Sequence, residues 1–317
     1  MRVNAPAFQS ALAVVAMTLA ASLWANPTGF SINSRGNDIP PGSINNLWQV
    51  NLQSGEETNV GPLVNQFLDV EALALSPSGD LYGADDDTNS LVRVRTTDGF
   101  AFPITGTSVG NMGVTGTFDF GMSFDCDGTL FVVSAIEQSL FQASLSSGQL
   151  RRVGEPGALA APISDIAVRG DDVFGIGVGL DANGSTLAPN LYRIDLENAS
   201  ARLVGSLGPE ALPYNNAGLS FGDDGSLWAM TDRSGVDNQF LPSQILRIDP
   251  LSGRAEAVAE TLIGMESLAI APPVMCQMRG ASDAGAHAIP IMSPPGAALL
   301  VLTMLGLAGL RLRRQQS

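Results

Sequence analysis

One segment recurs along this chain at intervals of about 50 residues, and it limits the fold more than any other feature. Its form is an apolar strand, a Gly/Asp turn and a second strand. VEALALSPSGDLYGA starts at Val70, DFGMSFDCDGTLFVVS at Asp119, ISDIAVRGDDVFGIG at Ile163 and NAGLSFGDDGSLWAMT at Asn216. GMESLAIAPP starts at Gly264 and stops after its first strand. A second segment alternates with these: LWQVNL from Leu47, LVRVR from Leu91, LFQASL from Leu140, LYRIDL from Leu191 and ILRIDP from Ile245. A turn and a fourth short strand follow each one. Four short antiparallel strands per unit, joined by Gly/Asp turns, make a propeller blade. The first strand of each unit alternates bulky and small residues. Leu73 and Leu75 flank Ala74, Met122 and Phe124 flank Ser123, Ile166 and Val168 flank Ala167, Leu219 and Phe221 flank Ser220, and Leu268 and Ile270 flank Ala269. Successive side chains of a strand point to opposite faces, so one face is bulky and the other has room for a neighbour's bulk.

The two ends of the repeat array complement each other. The last unit has an inner strand, Met265 to Ala271, without outer strands. The first has outer strands, Leu47 to Leu52 and Thr58 to Gly61, without an inner one. Sharing one blade between them, with Gly29 to Asn33 as its second strand, closes the ring and leaves no open sheet edge. The expected fold is all-β: a five-bladed β-propeller of four-stranded antiparallel blades over residues 26–275, its last blade closed by both termini.

The motif apolar-Ser-Pro-x-Gly-x-Leu-Tyr resembles the repeats of the YVTN/gluconolactonase-like β-propeller superfamily over roughly residues 29–275. At the starts of the inner strands stand Glu71, Asp119, Asp165, Asn216 and Glu266. Five oxygen-bearing groups around a channel mouth could hold Ca²⁺, which takes carboxylate and amide oxygens without His. The resemblance implies a divalent metal on such a ring. The other reading of these residues is a polar, water-filled mouth. The acidic loops Asp85–Asp87 with Asn89, Asp181–Gly184 and Asp232–Asp237 lack EF-hand spacing and read as solvated turns.

Both ends of the chain look like addresses. Residues 1–25 carry Arg2, the apolar run Ala11 to Leu23 and a small residue, Ala25, in the order of a signal peptide. Residues 276–288 read as a spacer rich in Ala and Gly. Residues 289–317 run from an Ile-Pro motif through AALLVLTMLGLAGL to an arginine cluster. That order resembles the IPTL-CTERM/PEP-CTERM sorting tails of Gram-negative bacteria. Ile289, Pro290, Ser293 and Gly296 match the motif, and Arg311, Arg313 and Arg314 match its basic end. Pro294 and Pro295 stand where the pattern has acidic and aromatic residues. The apolar run, about 15 residues, is short for a full membrane span. The resemblance implies an exosortase-type sorting enzyme as a partner, contact with the inner membrane during processing, and a final place at the outer surface or in the extracellular matrix. A plain C-terminal anchor is the other reading.

Composition then excludes chemistry. The 317 residues carry 31 acids against 16 basic residues, all of them Arg, so a lysine Schiff base or a phosphate-binding lysine is ruled out. A net charge of −15 disfavours nucleic acid. The single His287 falls in the spacer, which removes two-histidine metal sites and leaves little scope for a Ser-His-Asp machine. Cys126 and Cys276 are the only thiols, and in an exported chain they are expected to pair on one face, drawing Val274 and Met275 beneath the channel. The leading functional expectation is a non-catalytic binding or extracellular-matrix protein, with a surface polysaccharide or protein as ligand. The rival is a metal-dependent hydrolase or lactonase built on the carboxylate ring. Convergence of the ring residues on one point separates the two.

Overall fold

The computed structural model describes residues 27–33, 45–63, 66–106, 109–180, 184–187 and 189–273. Four complete blades follow one another along the chain. The first is β4–β7 (Val70–Leu75, Leu81–Asp85, Ser90–Val94, Ala101–Pro103). The second is β8–β11 (Phe120–Phe124, Leu130–Ser134, Ser139–Ala143, Leu150–Val153). The third is β12–β15 (Ile163–Arg169, Asp172–Gly177, Asn190–Ile194, Ala201–Ser206), and the fourth β16–β19 (Ala217–Phe221, Leu227–Thr231, Ser243–Ile248, Ala255–Thr261). All neighbours are antiparallel. Before them β1–β3 (Thr28–Ile32, Asn46–Asn51, Glu57–Pro62) form a three-stranded sheet.

Its fourth strand comes from the far end of the repeat array. Ala269 bridges Phe30, and Met265 bridges Asn33. The Phe30 N–H donates to Ala269 O at 2.7 Å, and the Ala269 N–H returns to Phe30 O at 2.9 Å. Ser267 adds two bonds: its Oγ accepts from Ile32 N–H at 3.0 Å, and its carbonyl accepts from Ser31 Oγ at 2.6 Å. The composite blade therefore closes as the sequence predicts, and the fold is an all-β, five-bladed propeller. The inner hairpins turn alike: Gly79, Gly128 and Gly225 occupy φ of 84°, 83° and 83°, the left-handed region in which a Cβ is strained.

Five apolar clusters fill the five blade interfaces, one each. The alternation seen in the sequence gives this packing a direction around the ring. Met122 and Phe124 pack against Ala72 and Ala74 of the preceding blade. Ile166 and Val168 pack against Phe131 and Val133, Leu219 against Ala167, and Leu73 and Leu75 against Ala269. Bulk points back to the previous blade and small residues face the next. Trp228 and Met230 close the ring against Val50, Leu52 and Leu268.

Around the channel the inner strands nearly touch. A Cβ on Gly121 would lie 2.3 Å from Ser164 O and 2.4 Å from Asp165 Cα; one on Gly218 would lie 2.4 Å from Leu268 N. Two glycines are thus required for backbone clearance rather than for φ. Among the described residues no helix is long and apolar enough to cross a membrane. The signal-peptide and sorting segments, with Ile289, Pro290, Ser293, Gly296, Arg311, Arg313 and Arg314, lie outside the described residues, as does Cys276. Gly121→Ala should force β8 away from β12 and cost about 2–3 kcal/mol, within the range for overpacked cores. A urea midpoint unchanged from the parent protein would contradict this account of the channel wall.

Candidate functional site

The inner strands all enter the ring from the face that carries the longer connections, including residues 104–119, 178–189, 207–216 and 232–242. The opposite face carries the tight hairpin turns. On the entrance face, Asp69 precedes β4 and Glu71 lies just inside it. Glu71 has no partner in β5: the register steps from Val70↔Asp85 to Ala72↔Ala84, so Glu71 is the extra residue of a β-bulge. Bulges re-aim side chains, and this one turns Glu71 toward the next blade, where its Oε2 accepts the Phe120 N–H at 2.9 Å. Asp86 follows β5. Its N–H donates to Asp69 O at 2.9 Å, and its Oδ1 accepts the Phe118 N–H at 2.8 Å. Ligand atoms of Asp69, Glu71 and Asp86 lie within 4.8 Å of one another. Asp119 stands beside them at φ 54°, a left-handed conformation that Asp tolerates better than most residues.

This crowding of carboxylates governs the electrostatics. Burial pushes the Glu71 carboxyl well above its ordinary range, and Asp119, Glu266, Asp86 and Asp69 push it further. Asp119 is raised to about 7, first by burial, then by Asp86 and Asp69. Burial also raises Asp86, against the backbone N–H groups of Phe118 and Asp119 that favour its charged form. The charges acting most strongly on Glu71 are all negative. Such a group of carboxylates keeps protons or takes up a cation.

The five ring residues read from the sequence do not share one level. Aligning the inner strands on their bulky residues Leu73, Met122, Ile166, Leu219 and Leu268 puts Glu71 and Glu266 at one position. Asp119 and Asn216 fall one residue earlier and Asp165 one residue later. Asp119 and Glu266 each come within electrostatic range of Glu71. Asn216 starts the fourth inner strand, its carbonyl accepting the Asp232 N–H at 2.8 Å.

Asp165 sits opposite Gly121, in the space that glycine leaves. Its Oδ1 accepts from Met122 N–H at 2.7 Å and Ile166 N–H at 2.8 Å, and its Oδ2 accepts from Leu219 N–H at 2.7 Å. One carboxylate thus ties β8, β12 and β16 together. Burial raises its pKa well above the ordinary range, although all three N–H groups favour the anion. Asp165 is an architectural residue.

Of the acidic loops, Asp85 serves its own turn: it accepts from Thr88 N–H at 2.9 Å, Thr88 Oγ1 at 2.6 Å and Asp69 N–H at 3.0 Å. Asp232 likewise accepts from the Ser234 N–H at 2.8 Å and its Oγ at 2.7 Å. The sequence reading did not select Asp69, and it placed Asp86 in a separate loop site. The available signal was the spacing of Asp69 and Glu71, which brackets a strand start, together with the hairpin that returns Asp86 beside it.

No family model and no curated protein matches the chain. Similar solved structures include a catalytically inactive variant of virginiamycin B lyase from Staphylococcus aureus, solved with quinupristin. It is 18% identical, covering 74% of this chain and 71% of that one, with a TM-score of 0.39. A protein of unknown function from Bacteroides caccae is 12% identical, covering 77% of this chain and 98% of that one, with a TM-score of 0.45. Both are β-propeller proteins. The fold of this chain rests on its own sheet topology.

The raised carboxyls set a pH dependence. An acid with a raised folded-state pKa binds more protons in the native protein than in the unfolded chain, so native stability falls as pH rises between the two values. For Asp119 that window runs from an unfolded value of about 3.9 to about 7. With a chelator present, the melting temperature should fall from pH 4.5 to 7.5, and Asp119→Asn should flatten part of that slope. A melting temperature that climbs over the same interval would refute the placement of these groups.

Proposed function

We propose that this chain is an exported surface or extracellular-matrix propeller that works by binding, with a hard divalent cation, Ca²⁺, at its acidic mouth. The observation that carries the reading is the meeting of Asp69, Glu71 and Asp86 within 4.8 Å, with Asp119 alongside. Carboxylate oxygens from two adjacent blades suit Ca²⁺, which accepts variable oxygen geometry and weak, millimolar extracellular sites. A cation there would neutralise repulsion that otherwise opposes folding, and it would pin the long connections of the entrance face. Export and sorting are supported by the order of features in residues 1–25 and 289–317. In this reading an exosortase-type enzyme processes the tail at the inner membrane, and the entrance face meets a surface polysaccharide or protein.

A second reading, the metal-dependent hydrolase or lactonase, draws on Asp119. A carboxyl raised to about 7 is half protonated at neutral pH and can act as a general acid–base beside a metal. The binding reading takes precedence because it needs only a cation on these four carboxylates, whereas the hydrolase reading needs in addition a metal-bound water beside Asp119 and a substrate seated against it.

Calcium titration followed by thermal unfolding at pH 8 tests the site. At tenfold excess over the dissociation constant, binding stabilises by about 1.4 kcal/mol, a rise of roughly 3–6 °C for a domain of this size. Glu71→Gln should remove most of that rise. If Ca²⁺ leaves the melting temperature of the parent protein unchanged, the cation site is wrong.

A further inference from the structure

Five arginines lie over aromatic rings, and one of them lacks what the others have. Arg93, Arg95, Arg152 and Arg193 each also meet a carboxylate of their own blade. Arg169, at the end of β12, lies over the Phe221 ring of the next blade, 6.0 Å from its centroid. No carboxylate among the described residues comes within ion-pair distance of it. The side chain is half-buried, and its Nε is buried with no hydrogen-bond partner. Asp224 lies within electrostatic range, but its Oδ1 accepts from the Ser226 N–H at 2.9 Å and from the Ser226 hydroxyl. The guanidinium is also held in place. A Cβ on Gly225 would overlap Arg169 Nη1 and Cζ, so the group rests directly against the hairpin turn of the fourth complete blade.

Arg169 helps to wall the lower channel. The cavity there, about 30 Å³, is bounded by the four inner strands and the closing strand, and its polar side chains are Arg169, Ser123 and Ser220. That volume takes one or two waters or a single small ion. Ser123 Oγ accepts the Val168 N–H and Ser220 Oγ the Ile270 N–H, each at 3.2 Å. A hydroxyl that accepts in this way still has its own proton to donate. The side chains on this cavity therefore offer N–H and O–H protons and no carboxylate, the reverse of the acidic mouth at the other end.

We propose that the lower channel is an anion site, which takes one monovalent ion of the size of chloride against Arg169 Nε, within reach of the Ser123 and Ser220 hydroxyls. The ion supplies the negative charge that a carboxylate supplies to the other four stacked arginines. Water could accept from the Nε–H, but it would leave the guanidinium charge without a counter-ion, and uncompensated buried charge is costly. An ion here would touch the second, third and fourth complete blades, and would lie beside Pro272 and Pro273 at the end of the closing strand. It would thus brace the ring from beneath. The site stands on residues separate from the cation mouth and does not depend on it.

Thermal unfolding of the full chain tests the site, with a chelator present so that the acidic mouth holds no cation. Sodium chloride is compared with sodium gluconate, whose anion is too large for the cavity, at one ionic strength. Chloride at ten times its dissociation constant should raise the melting temperature by roughly 3–6 °C over gluconate. Arg169→Gln should lose that difference. The ³⁵Cl resonance should broaden when the parent protein is added, and bromide should reverse the broadening, which checks the site without any variant. Equal melting temperatures in the two salts overturn the site and leave water in the cavity. A chloride advantage that survives Arg169→Gln overturns it as well, as does a ³⁵Cl line that the parent protein leaves sharp.

Discussion

The innermost strand of a propeller blade has one edge paired within its own sheet and the other facing the channel. Its channel-side N–H groups need acceptors, because a buried unpaired donor is costly. In this five-bladed ring the inner strands come so close that side-chain oxygens of one strand reach the backbone of the next. Glu71 accepts from Phe120, Ser123 from Val168, Ser164 from Ala217 and Ser220 from Ile270. Asp165 accepts from strands on both sides. The lateral cohesion of the ring is therefore a set of side-chain-to-backbone bonds, and Asp165 is its central member. The glycines at 121 and 218 permit the same close approach, since a Cβ at Gly121 would strike Ser164 and Asp165, and one at Gly218 would strike the backbone of Ser267 and Leu268.

This explains which parts of the molecule were legible in the sequence. Blade number and closure followed from period and from unpaired ends, both properties of whole strands. The packing of a bulky face against a small one followed from the alternation at Leu73–Ala74–Leu75 and its equivalents, and the inter-blade clusters add its direction. The level of each acidic residue within the channel was harder to read. A bulge of one residue at Glu71, and another between Ile163 and Asp165, shifts the strand start against its neighbours. A single inserted residue turns side chains to new directions without altering the repeat length. Counting from the strand start thus grouped Asp165 with Glu71, whereas counting back from Leu73 and Ile166 separates them.

The same distinction divides the acids by role. Asp165 has its oxygens committed to three N–H groups, and Asp85 to the turn it ends. Their burial is compensated locally. Glu71 and Asp119 instead face other carboxylates, which raise their affinity for protons. Negative charge gathered by two adjacent blades at one mouth is a cost to the fold that the hydrogen bonds from Phe118 and Phe120 relieve only in part. A residue set with that property suits a ligand that supplies positive charge.

The two faces of the ring are consequently unlike. Glu71, Asp86 and Asp119 lie where the inner strands enter, among the long connections. Pro273 lies at the other end of the channel beside Arg169 and Gly222, on the hairpin-turn side. Because β4 and the closing strand run in the same sense through the ring, their starts share one face and their ends the other. The separation of the acidic mouth from the hairpin turns follows from strand direction alone.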